Sequence, residues 1–232
     1  MKLAVMQPYF MPYLGYFQLA RSCDHFVFLD DVAFIKQGFI NRNRILLDGQ
    51  PFTFSLPVSN ISSFRRINEH WFTGQFDTLF GQLRQAYRRA PFFAPVSALI
   101  ETLCSDGELN VARKAAASVL SVFDYLGLPL AHSFASRFPA GEARNQRRVL
   151  DLCARFEADR YHNSPGGRAL YDASAFQAEG VQLCFVEGRF QTYAQVGGGG
   201  FVPGLSIIDV LMHNPPERVR QMLDDYLLEE AR

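Results

Sequence analysis

The chain has 232 residues, 48% of them hydrophobic, and its 23 Lys+Arg balance 23 Asp+Glu. That length suits one large domain or one domain with a helical insertion, and the apolar share, with 22 Phe, supports a sizeable aromatic core rather than disorder. Zero net charge excludes a global attraction to nucleic acid or to an anionic membrane surface.

Four cysteines, Cys23, Cys104, Cys153 and Cys184, are far apart and form no C-x-x-C pair. They read as buried free thiols, not as a zinc site or a disulfide framework. The start of the chain carries one Lys, no long apolar stretch and no small-residue cleavage site, so no signal peptide is expected. No run of eighteen apolar residues is present, so no membrane span is expected and the cytoplasm is the expected location.

In chain order, residues 2–6 form an apolar run that predicts a buried parallel strand. Pro8, Pro12 and Gly15 then break regular structure before a short helix over Tyr16 to Ser22. His25 to Leu29 predicts a second strand, ending in Asp30-Asp31. Asp48-Gly49 between Phe39–Leu47 and Phe52–Leu56 signals a β-hairpin at a sheet edge or extending the sheet. Ile67 to Phe72 reads as a further short strand.

The spacing of Phe76, Leu79, Phe80, Leu83 and Tyr87 fits one helical face within Thr73 to Tyr87. Helices over Val96–Cys104 and Leu109–Leu126 follow, the last stopped by Gly127. Together, residues 73–127 read as a helical insertion or subdomain within a single domain over 1–232. Beyond it the pattern gives a strand at Leu130–Phe134, a helix at Arg144–Phe156, a strand at Asp159–His162, a short helix around Phe176 and a strand at Val181–Val186. A flexible glycine run at 197–200 and terminal helices at Leu205–Met212 and Pro216–Leu228 complete the chain. This order implies an α/β fold: a mostly parallel, Rossmann-like sheet flanked by helices, with an early hairpin.

In open α/β sheets ligands bind outside the carboxyl ends of the strands, which directs attention to the loops there. The loop Gln7 to Tyr16 has a weak analogy to nucleotidyltransferase loops that end in H-x-G-H at a helix N-terminus. Here the ending is Tyr13-Leu14-Gly15-Tyr16, without histidines, so Gln7, Tyr9 and Tyr16 are candidates for holding a phosphate or sugar, or simply pack the loop. Asp31 of the acidic pair could help bind a metal, accept a sugar hydroxyl or act as a base; a turn or cap is the competing reading. Lys36, Asn41 and Arg42, with Asn43 and Arg44, supply donors for an anionic ligand or a charged hairpin edge. Asn163 follows the Asp159–His162 strand, where a plain turn is the competing reading. Ser206 reads as the N-cap of a capping box with Asp209, or as a phosphate contact. Of five histidines none has metal-ligand spacing, and His162 is the best acid–base candidate, although a lone histidine is more often structural. No metal site and no cofactor are assigned.

The runs MQPYFMPYLGYFQL and FVFLDDVAFIKQGFINRNRIL, followed by AYRRAPFF, YHNSPGGRALY and FVPGLSIIDVLMHN, resemble the WbqC-like family over nearly the whole chain. These bacterial proteins are often encoded among genes for cell-surface polysaccharides. The resemblance implies a role in O-antigen-type glycan synthesis, with transfer of an acyl or amino-acyl group onto an amino-sugar nucleotide; by their positions at strand ends, Asp31 or His162 would take the amine proton. The expected partner is a small-molecule substrate, a nucleotide-linked amino-sugar in this reading; no nucleic acid is expected, and a homo-oligomer is left open. Two rivals stay open: an adenylating nucleotide-binding enzyme that lacks the usual histidines, and a non-catalytic partner of a glycan enzyme that docks through Phe92-Phe93.

Overall fold

The computed structural model describes residues 1–197 and 199–231. Strand β1 (Lys2–Met6) buries Leu3 and Val5 on one face and Ala4 on the other, as a central strand covered on both sides must. Helix α1 (Leu14–Arg21) leads to β2 (His25–Phe28), parallel to β1. The hairpin β3 (Arg42–Leu47) and β4 (Gln50–Ser55) follows, then α2 (Asp77–Tyr87), α3 (Phe93–Ser105) and α4 (Val111–Tyr125). Next come β5 (His132–Phe134), α5 (Asn145–Arg155), β6 (Arg160–Asn163), α6 (Ala173–Ala178) and β7 (Gln182–Gly188). The last elements are α7 (Ile207–His213), α8 (Pro216–Asp224) and β8 (Tyr226–Glu230).

The main sheet has six strands in the order β5-β2-β1-β6-β7-β8, all parallel except β8. From β1 the chain works outward through β2 to β5, then returns to β6 on the other side of β1. The strand order therefore reverses between β1 and β6, which opens a crevice at their carboxyl ends. Leu3, Val5, Val27, Tyr161, Leu183 and Phe185 face α5 and α6. Ala4, Phe26, Phe28 and Val186 face the larger core shared with α1–α4, α7, α8 and the hairpin.

Four sequence expectations are corrected. The hairpin neither edges nor extends the main sheet; it forms a separate two-stranded sheet. Ile67–Phe72 is not a strand but a 3-10 turn over Ile67–Glu69, with single bridges at Trp71 and Phe72. The last helix stops at Asp224, and Tyr226 to Glu230 pair antiparallel with β7. Its apolar residues Leu227 and Leu228 matched a continued helical face, so periodicity alone did not separate the two states. The capping box at Ser206 does not form: Ser206 Oγ accepts from Ile208 N at 3.2 Å, while the Asp209 side chain turns into the core. The glycine run includes Gly198, which lies outside the described residues.

Candidate functional site

The loop after β1 is fixed from several sides. Met11 has φ +45°, uncommon for a residue with a Cβ. Its N–H donates to Ser118 Oγ (2.9 Å), and its carbonyl accepts from Asn43 Nδ2 (2.8 Å) and Ser206 Oγ (2.6 Å). Three distant segments thus hold the two peptide groups that flank Met11, and in this way offset a strain of about 1–3 kcal/mol. Tyr16 is buried and donates its hydroxyl to the Gln7 carbonyl at 2.9 Å. Tyr9 packs on Tyr16 and lies 3.5 Å from Gln7 Oε1. Burial, then the neighbouring Tyr13, pushes the Tyr9 phenol up to about 12, so it stays a neutral donor at physiological pH.

A cleft of about 770 Å³ opens at the β1/β6 reversal. Gln7, Tyr9, Asn163 and Ser164 contribute to its polar lining, with Asn145, Gln146 and Arg148 from α5, and Val5, Leu29 and Val149 line it with apolar surface. Ile35 and Leu170, 51% and 70% exposed, also line it. Asn163 Oδ1 accepts from Ser164 N at 2.8 Å, which fixes the amide. Gly167 leaves room for it: a Cβ there would lie 2.3 Å from Asn163 Nδ2 and displace the amide.

A second chamber of about 510 Å³ adjoins the first, sharing Val32, Ala33, Asn145 and Arg148 with it. Between them lies a buried ion pair, Arg148 Nη2 to Asp31 Oδ2 at 2.8 Å. The same Nη2 donates to the carbonyls of Ala135 and Phe138, both at 2.7 Å. Arg148 Nε and Asp31 Oδ1 are buried without a hydrogen-bond partner. Asp30, one residue earlier, points elsewhere and accepts from Ser136 N, Ser136 Oγ and Asn68 Nδ2. Only one of the two carboxylates reaches the groove, as alternation of side chains requires.

The remaining sequence candidates do not line either chamber. His162 faces α1 from the opposite side of the sheet, with Nδ1 3.0 Å from Ser22 Oγ and only 2% of the residue exposed. Burial, reinforced by Lys2 and Arg160, lowers its pKa to about 4, so it is neutral at pH 7. Asn41 is buried and donates to the Leu56 carbonyl at 2.8 Å, closing the hairpin. Arg42 binds the carbonyls of Gly38 (2.9 Å) and Gln37, bracing the loop before β3. Lys36 is exposed on that loop, outside both chambers. Ser206 is fully buried and serves Met11. Asp209 is likewise buried, accepting from the hydroxyls of Tyr87 (3.0 Å) and Tyr193 (2.6 Å) and from Gln195 Nε2 (2.8 Å).

Sequence reasoning missed Arg148, and with it Arg65, Arg66 and Arg144 of the second chamber. One signal was available. Helix α5 has no acidic residue in its first turn and begins Arg144-Asn145-Gln146-Arg147-Arg148, against the usual preference for acidic residues at a helix N-terminus.

A larger hollow of about 1230 Å³ lies along β7 and β8. Arg168 in its wall is paired with Glu187 (2.8 Å) and Glu229 (2.6 Å), so its charge is already compensated. Among the described residues no cluster of His, Cys, Asp and Glu is arranged to hold a metal, and no helix is long and apolar enough to cross a membrane.

No solved structure matches the chain. A protein of Mycobacterium tuberculosis (strain ATCC 25618 / H37Rv), "Uncharacterized protein Rv1507c", is 25% identical over 228 residues, covering 91% of this chain and 93% of that protein. The model of the WbqC-like protein family matches residues 7–221, a span that holds the β1 loop, the second chamber, the cleft lining apart from Val5 and Met6, and the Tyr87–Asp209 network; the chain belongs to the WbqC-like protein family.

Proposed function

We propose that the protein is a transferase of cell-surface polysaccharide synthesis that moves an acyl or amino-acyl group onto the amine of a nucleotide-linked amino-sugar in the cytoplasm. The observation that carries this reading is the cleft at the β1/β6 reversal, the place where open α/β sheets bind small ligands. Its size suits a sugar, and its amides and hydroxyls at Gln7, Asn163, Ser164 and Tyr9 suit sugar hydroxyls. The pathway comes from the family resemblance.

In this reading the amine nitrogen forms a bond to the acyl carbon as the bond from that carbon to its carrier breaks. The amine proton passes to Asp31, the one carboxylate among the described residues lining the two chambers. Arg148 holds Asp31 through Oδ2; Oδ1 has no protein partner but is buried at the wall of the second chamber, so a shift of that wall must uncover it for the amine to reach it. His162 is not used, because it lies across the sheet.

The test incubates the purified protein with amino-sugar nucleotides and a panel of acyl-CoAs and activated amino acids, and follows product mass. Transfer by the wild type, reduced at least about 100-fold by Asp31→Asn, is expected. Transfer unchanged in Asp31→Asn removes Asp31 from the chemistry, and no transfer from any donor overturns the reading.

A further inference from the structure

Resting on the transferase reading, we infer that the second chamber is a nucleoside-diphosphate site, which holds the phosphates of the substrate beside the cleft that takes its sugar. Four arginines, Arg65, Arg66, Arg144 and Arg148, line this chamber against a single carboxylate, Asp31. The whole chain has no net charge, so this is a local concentration of positive charge. Arg65 directs its bonds to the Glu69 (3.2 Å) and Asn60 carbonyls, and Arg144 to those of Gly141 (3.1 Å) and Ala143 (2.8 Å). Those bonds brace the two loops and leave the charges of Arg65 and Arg144 without a carboxylate partner, whereas that of Arg148 is paired with Asp31.

The N-terminus of α5 opens into the same chamber. Its N-cap residue Arg144 caps no backbone N–H through its side chain, and Asn145 at the first helical position has φ +49°. Exposed N–H groups and the helix dipole favour an anion there. A second observation points to a ligand independently: Arg148, its side chain 95% buried, makes its side-chain hydrogen bonds from Nη2 and leaves the buried Nε without a partner. A buried guanidinium with a free edge suits a phosphoryl oxygen.

Phe64 adds the base end. It is 98% exposed on the chamber wall, next in sequence to Arg65 and Arg66. A fully exposed phenyl ring gains nothing from folding, whereas a planar base can stack on it. Shared walls at Val32, Ala33, Asn145 and Arg148 join this chamber to the cleft, so one extended ligand can lie across both.

Isothermal titration with UDP, inorganic pyrophosphate and uridine tests the inference. Both phosphate probes are expected to bind the wild type, with affinity falling as salt is raised. The double variant Arg66→Ala/Arg144→Ala removes two exposed side chains and should stay folded, its melting temperature lowered only slightly by the loss of the Arg144 bonds to its loop, while binding both probes at least about tenfold more weakly. Phe64→Ala should weaken UDP and leave pyrophosphate unchanged. Pyrophosphate that fails to bind the wild type at millimolar concentration, or binds the double variant equally well, overturns the site. Phosphate binding lost in the double variant, with no acyl transfer from any donor, keeps the site and removes the transferase reading. Transfer that proceeds unaffected in the double variant does the reverse.

Discussion

Asp31 Oδ2 and Arg148 Nη2 meet at 2.8 Å across 117 positions of sequence, with side chains 10% and 5% exposed. The pair joins the loop after β2 to the first turn of α5 and forms part of the wall of the second chamber. Removing Arg148 would leave a buried carboxylate unpaired. Arg148→Met should therefore cost about 3–5 kcal/mol of stability, and an added Asp31→Leu should restore part of it. Urea unfolding of the wild type, both single variants and the double variant measures the coupling. A single variant within 1 kcal/mol of wild type, by the ~1 kcal/mol ceiling of exposed pairs, would show that the pair is solvated.

Gly167→Ala tests the cleft without touching a polar group. Its Cβ would stand 2.3 Å from Asn163 Nδ2, so the amide must move. A displaced amide should lower kcat/KM of the transfer reaction by about 10–100-fold. The melting temperature should move little, because the asparagine tip faces the cleft. Equal activity in the variant would remove Asn163 from substrate binding.

The Tyr87 hydroxyl links two distant segments: it donates to Asp209 Oδ1 at 3.0 Å and accepts from Leu46 N at 2.9 Å. Tyr87→Phe orphans that buried N–H and should cost about 1–3 kcal/mol. Chemical denaturation reads the change. No loss would mean that water replaces the hydroxyl there.

His162 gives the fold an acid-sensitive step. Its pKa falls from 6.5 to about 4 on folding, chiefly through burial, so the unfolded chain binds the proton more readily. Its contribution is fully present above pH 6.5 and is lost as pH falls towards 4, about 2 kcal/mol after allowance for partial solvation. His162→Asn should flatten the stability profile between those two pH values. An unchanged profile would assign the acid sensitivity to other groups.

The thiols should be inert in the native protein. Burial pushes Cys23, Cys104 and Cys153 up to about 12 and raises Cys184 as well. A thiol reagent at pH 8 should react slowly until urea is added, then modify all four free cysteines. Rapid native labelling at any one of them would show that its segment opens locally.

Much of the fold was legible because apolar runs and helical spacing report burial directly. Residues 2–6, His25–Leu29 and Val181–Val186 read as strands for that reason, and Leu109–Leu126 as a helix; the structure places these elements at Lys2–Met6, His25–Phe28, Gln182–Gly188 and Val111–Tyr125. Strand β8 was not legible: its pairing partner, β7, is a tertiary fact, and Tyr226 to Glu230 carry no turn signal that separates them from α8. The candidate residues show the same division. Gln7, Tyr9 and Asn163 were placed by a rule about strand ends, and they line the cleft. Asn41, Arg42 and Ser206 have the side chains of ligand contacts, yet each binds the protein's own backbone.

The sequence by itself determined the α/β class, the parallel sheet, the hairpin and the carboxyl edge at which to look, because these depend on local periodicity and turn chemistry. Only the tertiary structure decided that Arg148 crosses 117 positions to hold Asp31, that His162 faces away from the cleft, and that Arg65, Arg66 and Arg144 converge. Charge and hydrogen bonding act over a few ångströms of space, and the separation of residues along the chain does not encode that distance.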